Sequence, residues 1–392
     1  MIDPKTLTGN WNYPTTIWFG PGRIKQLPRA CRRLAISRPL LVTDPGLAKL
    51  PMIEQALAQN RAEGLATGLF SEVRANPVGA NVAAGVAAYR AGGYDGVIAF
   101  GGGSSLDAGK AIALMVGQDR PIWDFEDVGD NFKRVRTEAM APVVAVPTTA
   151  GTGSETGRAA VIVDEDAKVK RILFHPNMMP GVVIDDPELT LGLPAKVTAA
   201  VGMDALAHAF EAYCAPAFHP LADGIAVEAM RLIHDWLPVA VMDGGNLAAR
   251  AHMMAAASMG STAFQKGLGA IHSLSHPIGA IFDSHHGLTN AVVMPYVMRF
   301  NRPAIEDKMV RLARWLHLPE ASYQGVLDWI LRLRAEIGIP HELTALGVGP
   351  GDIATLAAMA EADPSTGTNP RPAKAADMAR MLTWALAGEV GA

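Results

Sequence analysis

Cysteine is scarce in this chain: Cys31 and Cys214 are the only two among 392 residues. A disulfide framework is thereby excluded, and a reducing compartment fits. No stretch is long and apolar enough to read as a transmembrane helix. The opening residues Met1-Ile2-Asp3-Pro4-Lys5 lack the basic and apolar regions of a signal peptide. Charge of one sign is not in excess either, because the formal net charge is −4 and acids and bases are interspersed. Nothing in that balance points to a nucleic-acid or membrane partner. Internal repeats, low-complexity tracts and a long flexible linker are absent as well. These absences leave a cytoplasmic enzyme that acts on a small molecule.

The length predicts about two domains, and an apolar content of 49% is enough for a large core without a stabilising metal or disulfide. Up to about residue 190, short apolar runs alternate with helical patterns. Candidate strands are Thr15–Phe19, Pro39–Thr43, Gly96–Phe100, Val143–Val146, Ala159–Val163 and Gly181–Ile184, with helices such as Ile53–Ala62 and Val78–Ala91 between them. Alternation of this kind predicts an α/β domain with a mostly parallel sheet over residues 1–190. Residues 191–392 read as all-α, with helices over Leu221–Trp236, Asn246–Phe264, Ala304–Leu316 and Tyr323–Ile337.

Two glycine-rich turns follow strands in the first half. Gly96–Phe100 runs into Gly101-Gly102-Gly103-Ser104-Ser105-Leu106-Asp107-Ala108-Gly109-Lys110. Such a strand–turn–helix lets backbone N–H groups approach a phosphate. It is neither a P-loop, which needs glycine at Ser104 and a hydroxyl at Ala111, nor a Rossmann fingerprint, which needs glycine at Leu106. A plain tight turn is the competing reading, and Asp107 reads as a cap for the following helix, with a cofactor contact as the alternative. Val143–Val146 leads into Pro147-Thr148-Thr149-Ala150-Gly151-Thr152-Gly153-Ser154-Glu155, again rich in hydroxyls and glycine. Asp44, after Leu40-Leu41-Val42-Thr43, can accept hydrogen bonds from a ribose diol and would repel a 2′-phosphate, favouring NAD over NADP. Taken alone it reads as a helix cap.

The second half carries the chemistry of a metal site. Asp204 and His208 are four apart in a breaker-free helical stretch, so they share one face. A histidine-rich segment follows, with His272, His276, His285 and His286. One aspartate oxygen with imidazole nitrogens suits divalent iron or zinc. Spacing alone pairs His272 with His276 as the next two ligands. The other six histidines, His175, His219, His234, His252, His317 and His341, read as structural.

Taken together, these residues resemble the iron-containing alcohol dehydrogenase family (group III). The likeness runs through Phe19-Gly20-Pro21-Gly22, Asn76-Pro77, Gly101–Lys110, Pro147–Glu155, Asp186–Thr190, Gly202–Tyr213, Gly269–Gly287 and Asp363–Arg371. It implies a dinucleotide-binding domain that departs from the Rossmann pattern, followed by a helical metal domain of the dehydroquinate synthase-like type. It also implies that Asp204, His208, His272 and His286 hold Fe2+, with Zn2+ as the alternative, and that His276 lies near the nicotinamide as a proton relay. Asp44, Asn76, Gly102, Gly103, Ser104, Thr148, Thr149 and Lys170 map to NAD contacts. His285 departs from the residue common at its position.

The activity implied is hydride transfer between a primary alcohol, or an aldehyde, and NAD, in a homodimer or larger homo-oligomer. Other members of the superfamily are the alternative: a polyol or hydroxy-acid dehydrogenase, a maleylacetate reductase or a dehydroquinate synthase-like lyase. The last two act on anions, and Gly267–His286 contains no Lys or Arg to meet one. Phe264, Leu268, Ile271, Ile281 and Phe282 are the apolar candidates for lining a substrate pocket.

Overall fold

A computed structural model describes residues 14–391 of the protein; residues 1–13, including the opening stretch read above for a leader, lie outside the described residues. The chain divides into two compact units. One is Pro14–Thr149 with Gly153–Gly192; the other is Ala150–Thr152 with the chain from Leu193 onward.

The first unit is α/β. Its strands are β1 (Thr16–Phe19), β2 (Pro39–Val42), β3 (Gly68–Phe70), β4 (Gly96–Gly101), β5 (Val143–Pro147), β6 (Ala159–Asp164), β7 (Val169–Phe174) and β8 (Val182–Asp185), and its helices are α1 (Leu27–Arg33), α2 (Pro51–Ala62), α3 (Gly79–Gly92) and α4 (Gly103–Met115). Six strands form one sheet in the order β1-β8-β5-β4-β2-β3, every pair parallel. β2, β4, β5 and β8 are buried at every position. Helices cover both faces of such a sheet, which is why these strands read as unbroken apolar runs. β6 and β7 pair separately as an antiparallel hairpin. β3 and β7 are not among the strands expected from sequence: β3 is too short to show a period, and Lys170-Arg171 interrupts the apolar pattern of β7.

Side-chain packing shows where the sheet reverses its winding. Ile53 and Ala56 of α2 pack on the face carrying Leu41, Ile98 and Phe100. Leu106 and Ile112 of α4 pack on the opposite face, with Leu40, Val42, Val97 and Ala99. The helices that follow β2 and β4 therefore lie on opposite faces, and the carboxyl ends of these two adjacent strands flank a topological switch point, where α/β sheets bind ligands.

The second unit is helical: α5 (Ala195–Cys214), α6 (Pro220–Met242), α7 (Leu247–Ala263), α8 (Ala270–Phe282), α9 (His286–Trp315), α10 (Tyr323–Glu336), α11 (Ile353–Ala362) and α12 (Ala375–Ala387). α5 runs through its core, with every residue from Thr198 to Cys214 buried. A helix buried all round must satisfy its polar side chains inside the protein. α9 starts well before the predicted Ala304 and continues through Pro295 and Pro303. Each proline removes one backbone hydrogen bond, and burial of most of the segment from Gly287 to Asn301 outweighs that loss. Among the described residues no helix is long and apolar enough to cross a membrane.

Candidate active site

Burial of α5 forces Asp204 and His208 to find partners within the helical unit, and they find them on α8 and α9. His272 comes from the first turn of α8, and His286 is the first residue of α9. One ligand atom from each of Asp204, His208, His272 and His286 lies within 4.8 Å of all the others. Oδ1 of Asp204 stands 3.9 Å from His208 Nε2 and 3.6 Å from His286 Nε2. The rings of His208 and His272 stack with centroids 4.8 Å apart. Gly287 makes this closure possible: a Cβ there would lie 2.3 Å from the Ala200 carbonyl oxygen and 2.9 Å from Asp204 Cβ. Only glycine lets the start of α9 lie this close to α5.

The donor set fits a divalent metal. A carboxylate with three imidazoles is a ligand set that iron and zinc accept. Burial pushes His208 down to about 4, so near neutral pH its ring is uncharged and keeps a lone pair. The acceptor atoms also converge. Asn290 Nδ2 donates to Asp204 Oδ1 at 2.8 Å and lies 3.2 Å from Nε2 of both His272 and His286. A carboxylate oxygen and two imidazole nitrogens thus converge on one point, the kind of position a cation takes.

His276 sits one turn beyond His272 on α8. Its ring stacks on His286 at 5.4 Å, and its Nδ1 lies 2.7 Å from Asp363 Oδ2. Spacing alone would make it a ligand; here one ring nitrogen faces a carboxylate, and the residue stands beside the four-residue group. His285 is exposed, at the residue preceding α9. Of the apolar candidates, Phe264 packs 5.0 Å from the His208 ring. Ile271, read as pocket lining, is wholly enclosed in the helical core, and Ile281 is exposed.

In the α/β unit the candidate cofactor residues gather at the carboxyl ends of strands. Asp44 follows β2, Gly102-Gly103-Ser104 follows β4, and Thr148-Thr149 follows β5. Gly101 pairs with Pro147, and the Thr148 N–H donates to the Gly101 carbonyl at 2.9 Å. Gly101 has φ +145°, with Ser105 2.7 Å from where its Cβ would be, so the passage from β4 into α4 needs glycine. The N-cap of α4 is Gly102, which brings no capping side chain of its own, and a helix N-terminus of this kind suits an anion. The Ser104 hydroxyl donates to the Ala75 carbonyl, next to Asn76. Lys170, on β7, is opposite Val163, whose N–H donates to the Pro77 carbonyl at 2.8 Å. Asp44 Oδ1 accepts the N–H groups of Gly46 and Leu47, each at 2.9 Å. Asp107 is not a cap: inside α4 it accepts from Ser154 Oγ and the Val161 N–H and pairs with Lys110, tying α4 to β6.

Family models match both parts of the chain. The family profile described as iron-containing alcohol dehydrogenase matches residues 14–187, and that for the C-terminal part of the Fe-containing alcohol dehydrogenase family matches residues 198–386. The chain belongs to the iron-containing alcohol dehydrogenase family. It is 42% identical over 382 residues to a 4-hydroxybutyrate dehydrogenase of Cupriavidus necator, covering 94% of this chain and 98% of that one. It is 36% identical over 384 residues to an NAD-dependent methanol dehydrogenase of Bacillus methanolicus, covering 96% and 100%. The crystal structure of a 1,3-propanediol oxidoreductase matches with a TM-score of 0.91 at 35% identity, covering 97% and 100%. The protein is therefore a metal-dependent oxidoreductase that moves a hydride between an alcohol, or the matching aldehyde, and NAD, and iron is the metal of its family.

In this alcohol dehydrogenase three further polar residues support the candidate ligands and His276, and spacing assigns none of them a role. Glu211 meets His272 Nδ1 at 2.6 Å, Asn290 meets three ligand candidates, and Asp363 meets His276. Two had a visible signal: Glu211 is seven residues after Asp204 on the same helix face, and Asn290 is four after His286. Asp363 had no signal from spacing, being 87 residues from its partner, although it opens the Asp363–Arg371 segment of the family likeness.

Proposed function

We propose that this alcohol dehydrogenase interconverts short primary alcohols and their aldehydes with NAD, and that Asp204, His208, His272 and His286 hold its divalent iron. The observation that carries this reading is the approach of four ligand atoms to within 4.8 Å of one another. Bound iron supplies a Lewis acid that lowers the pKa of the alcohol hydroxyl and polarises the aldehyde carbonyl. Bound NAD supplies the hydride acceptor. His276, with Nδ1 turned to Asp363, offers Nε2 to the proton the alcohol loses. The start of α4 and its glycines receive the pyrophosphate. Asp44, Asn76, Thr148, Thr149 and Lys170 complete the dinucleotide contacts, and Asp44 disfavours a 2′-phosphate.

The named relatives act on 4-hydroxybutyrate, methanol and 1,3-propanediol, each with a primary hydroxyl. The similarity to the 4-hydroxybutyrate dehydrogenase supports a second reading, a ω-hydroxy acid substrate. Against it, Gly267–His286 has no Lys or Arg, and the neighbouring Lys266 is buried, bonded to Asp223 and the Tyr213 carbonyl. A neutral alcohol or diol is therefore preferred. The test is kcat/KM for 1-butanol, 1,3-propanediol and 4-hydroxybutyrate, with the corresponding aldehydes in reverse. A tenfold advantage for 4-hydroxybutyrate would replace the first reading by the second. Metal analysis of anaerobically purified protein, with activity restored metal by metal, separates iron from zinc; full activity after chelation would refute the metal reading.

The same proposal places the enzyme in the cytoplasm as a homodimer or larger homo-oligomer. Two buried, unpaired thiols, Cys31 and Cys214, support a reducing compartment. The family resemblance supports the oligomer, and light scattering on the eluting protein measures it.

A further inference from the structure

We infer that Glu211 is a positioning residue of the metal centre, whose carboxylate holds His272 with Nε2 turned to the other three donors. The inference rests on the ligand assignment proposed above. Glu211 lies on α5, three residues beyond His208 and on the face that carries Asp204. It is 4% exposed, and a carboxylate that deep in a helical core needs donors for both oxygens. Both donors are in the first turn of α8. Oε2 lies 2.6 Å from His272 Nδ1, and Oε1 accepts the Ile271 N–H at 2.7 Å. Negative charge is favoured there by N–H groups with no partner inside the helix and by the helix dipole. Gly269 lets the backbone come this near: a Cβ at that position would stand 3.0 Å from Glu211 Oε1.

Two facing donors make the carboxylate hard to replace. With an acceptor opposite, Nδ1 carries the ring hydrogen and Nε2 carries the lone pair that a metal needs. Glutamine offers one acceptor and one NH2 group, so it must present a donor either to the Ile271 N–H or to His272 Nδ1. In the second case the ring changes tautomer, and Nε2 can no longer ligate. Losing a carboxylate behind a metal-bound imidazole lowers metal affinity roughly 10- to 100-fold.

The test is competition between the full-length protein and a chromogenic chelator for Zn2+ and, under anaerobic conditions, Fe2+. Wild type, Glu211→Gln, Glu211→Asp and His272→Ala are compared, and the melting temperature of each metal-free protein is recorded alongside. Glu211→Gln should weaken metal binding roughly 10- to 100-fold, and Glu211→Asp, whose shorter arm cannot reach both donors, should weaken it as well. Should Glu211→Gln fail to fold, Glu211→Asp carries the comparison. Affinity within about threefold of wild type in the Glu211 variants, with binding abolished in His272→Ala, overturns the inference and leaves the ligand assignment standing. A lower metal-free melting temperature at unchanged affinity also overturns it, because Glu211 then serves folding alone. Wild-type affinity in His272→Ala overturns the ligand assignment, and the inference with it.

Discussion

The Nδ1 atom of His276 lies 2.7 Å from Oδ2 of Asp363, in the turn that follows α11. The other oxygen of Asp363 accepts the Ser365 N–H at 2.9 Å, so the carboxylate is itself held in place. Thr366 Oγ1 donates to Ser273 Oγ at 2.7 Å, fastening that turn to α8 one turn before His276. The imidazole cannot rotate without breaking this chain of contacts.

Replacing Asp363 by Asn should therefore reduce kcat more than metal content. The expected loss in kcat is roughly 10- to 100-fold, part of the 10²–10⁴ that a positioned acid or base contributes, with metal per chain unchanged. Steady-state kinetics and metal analysis of the same preparation check it. Metal lost in parallel with activity would instead assign His276 to holding the metal.

Asp44 has two tasks that one substitution separates. Its Oδ1 caps the turn after β2, which fixes the carboxylate at the switch point of the sheet. Asp44→Gly should cost only a few tenths of a kcal/mol of stability through the lost cap. It should also narrow the preference for NAD over NADP by roughly tenfold or more, because the charge that opposes a 2′-phosphate is gone. Urea unfolding reads the first effect, and the ratio of kcat/KM for the two cofactors reads the second. A changed stability with an unchanged ratio would leave Asp44 as a cap only.

Much of this architecture is legible in the sequence, and the exceptions have physical causes. The central strands stand out because burial on both faces demands uninterrupted apolar residues, as in Val143–Pro147. Asp204 and His208 stand out because a helix sets residues four apart on one face. The start of α9 is hidden by Pro295 and Pro303, whose local cost is outweighed by packing that only the folded unit provides. Asp363 is hidden because its partnership with His276 is made entirely by tertiary structure. Asp107 misleads because a carboxylate near a helix start usually caps it; in this chain β6 and Lys110 compete for the same oxygens and win.

The buried imidazole of His208 gives the metal-free protein a defined response to acid. Burial depresses its pKa to about 4, against 6.5 when exposed. Between these values the unfolded chain binds a proton that the folded chain refuses. Stability therefore falls as pH drops from 6.5 toward 4, and this contribution levels off below. A gap of about 2.5 pH units, at ~1.4 kcal/mol each, amounts to about 3–4 kcal/mol. Urea unfolding of metal-free protein at pH 7 and pH 4.5 should show most of that loss, and His208→Gln should show a correspondingly shallower decline. Equal declines in the two proteins would mean that His208 is already charged in the folded state.

Gly287 tests whether closure of α9 on α5 makes the metal site. An added methyl would stand 2.3 Å from the Ala200 carbonyl oxygen, a distance that real carbon atoms do not reach, so the first turn of α9 must move away. Gly287→Ala should cost about 1–3 kcal/mol, the usual range for overpacking a core. Because His286 is the neighbouring residue, metal affinity should fall with it, by tenfold or more. Gly224, exposed in α6 with nothing near its missing Cβ, is the matched control. There the same substitution should add roughly 0.5–1 kcal/mol by removing chain entropy from the unfolded state, with metal affinity unchanged. Denaturant unfolding and chelator competition on both variants give the comparison. If Gly287→Ala binds metal like Gly224→Ala, the start of α9 is free to shift without disturbing the ligands, and His286 is not held to Asp204 by this contact.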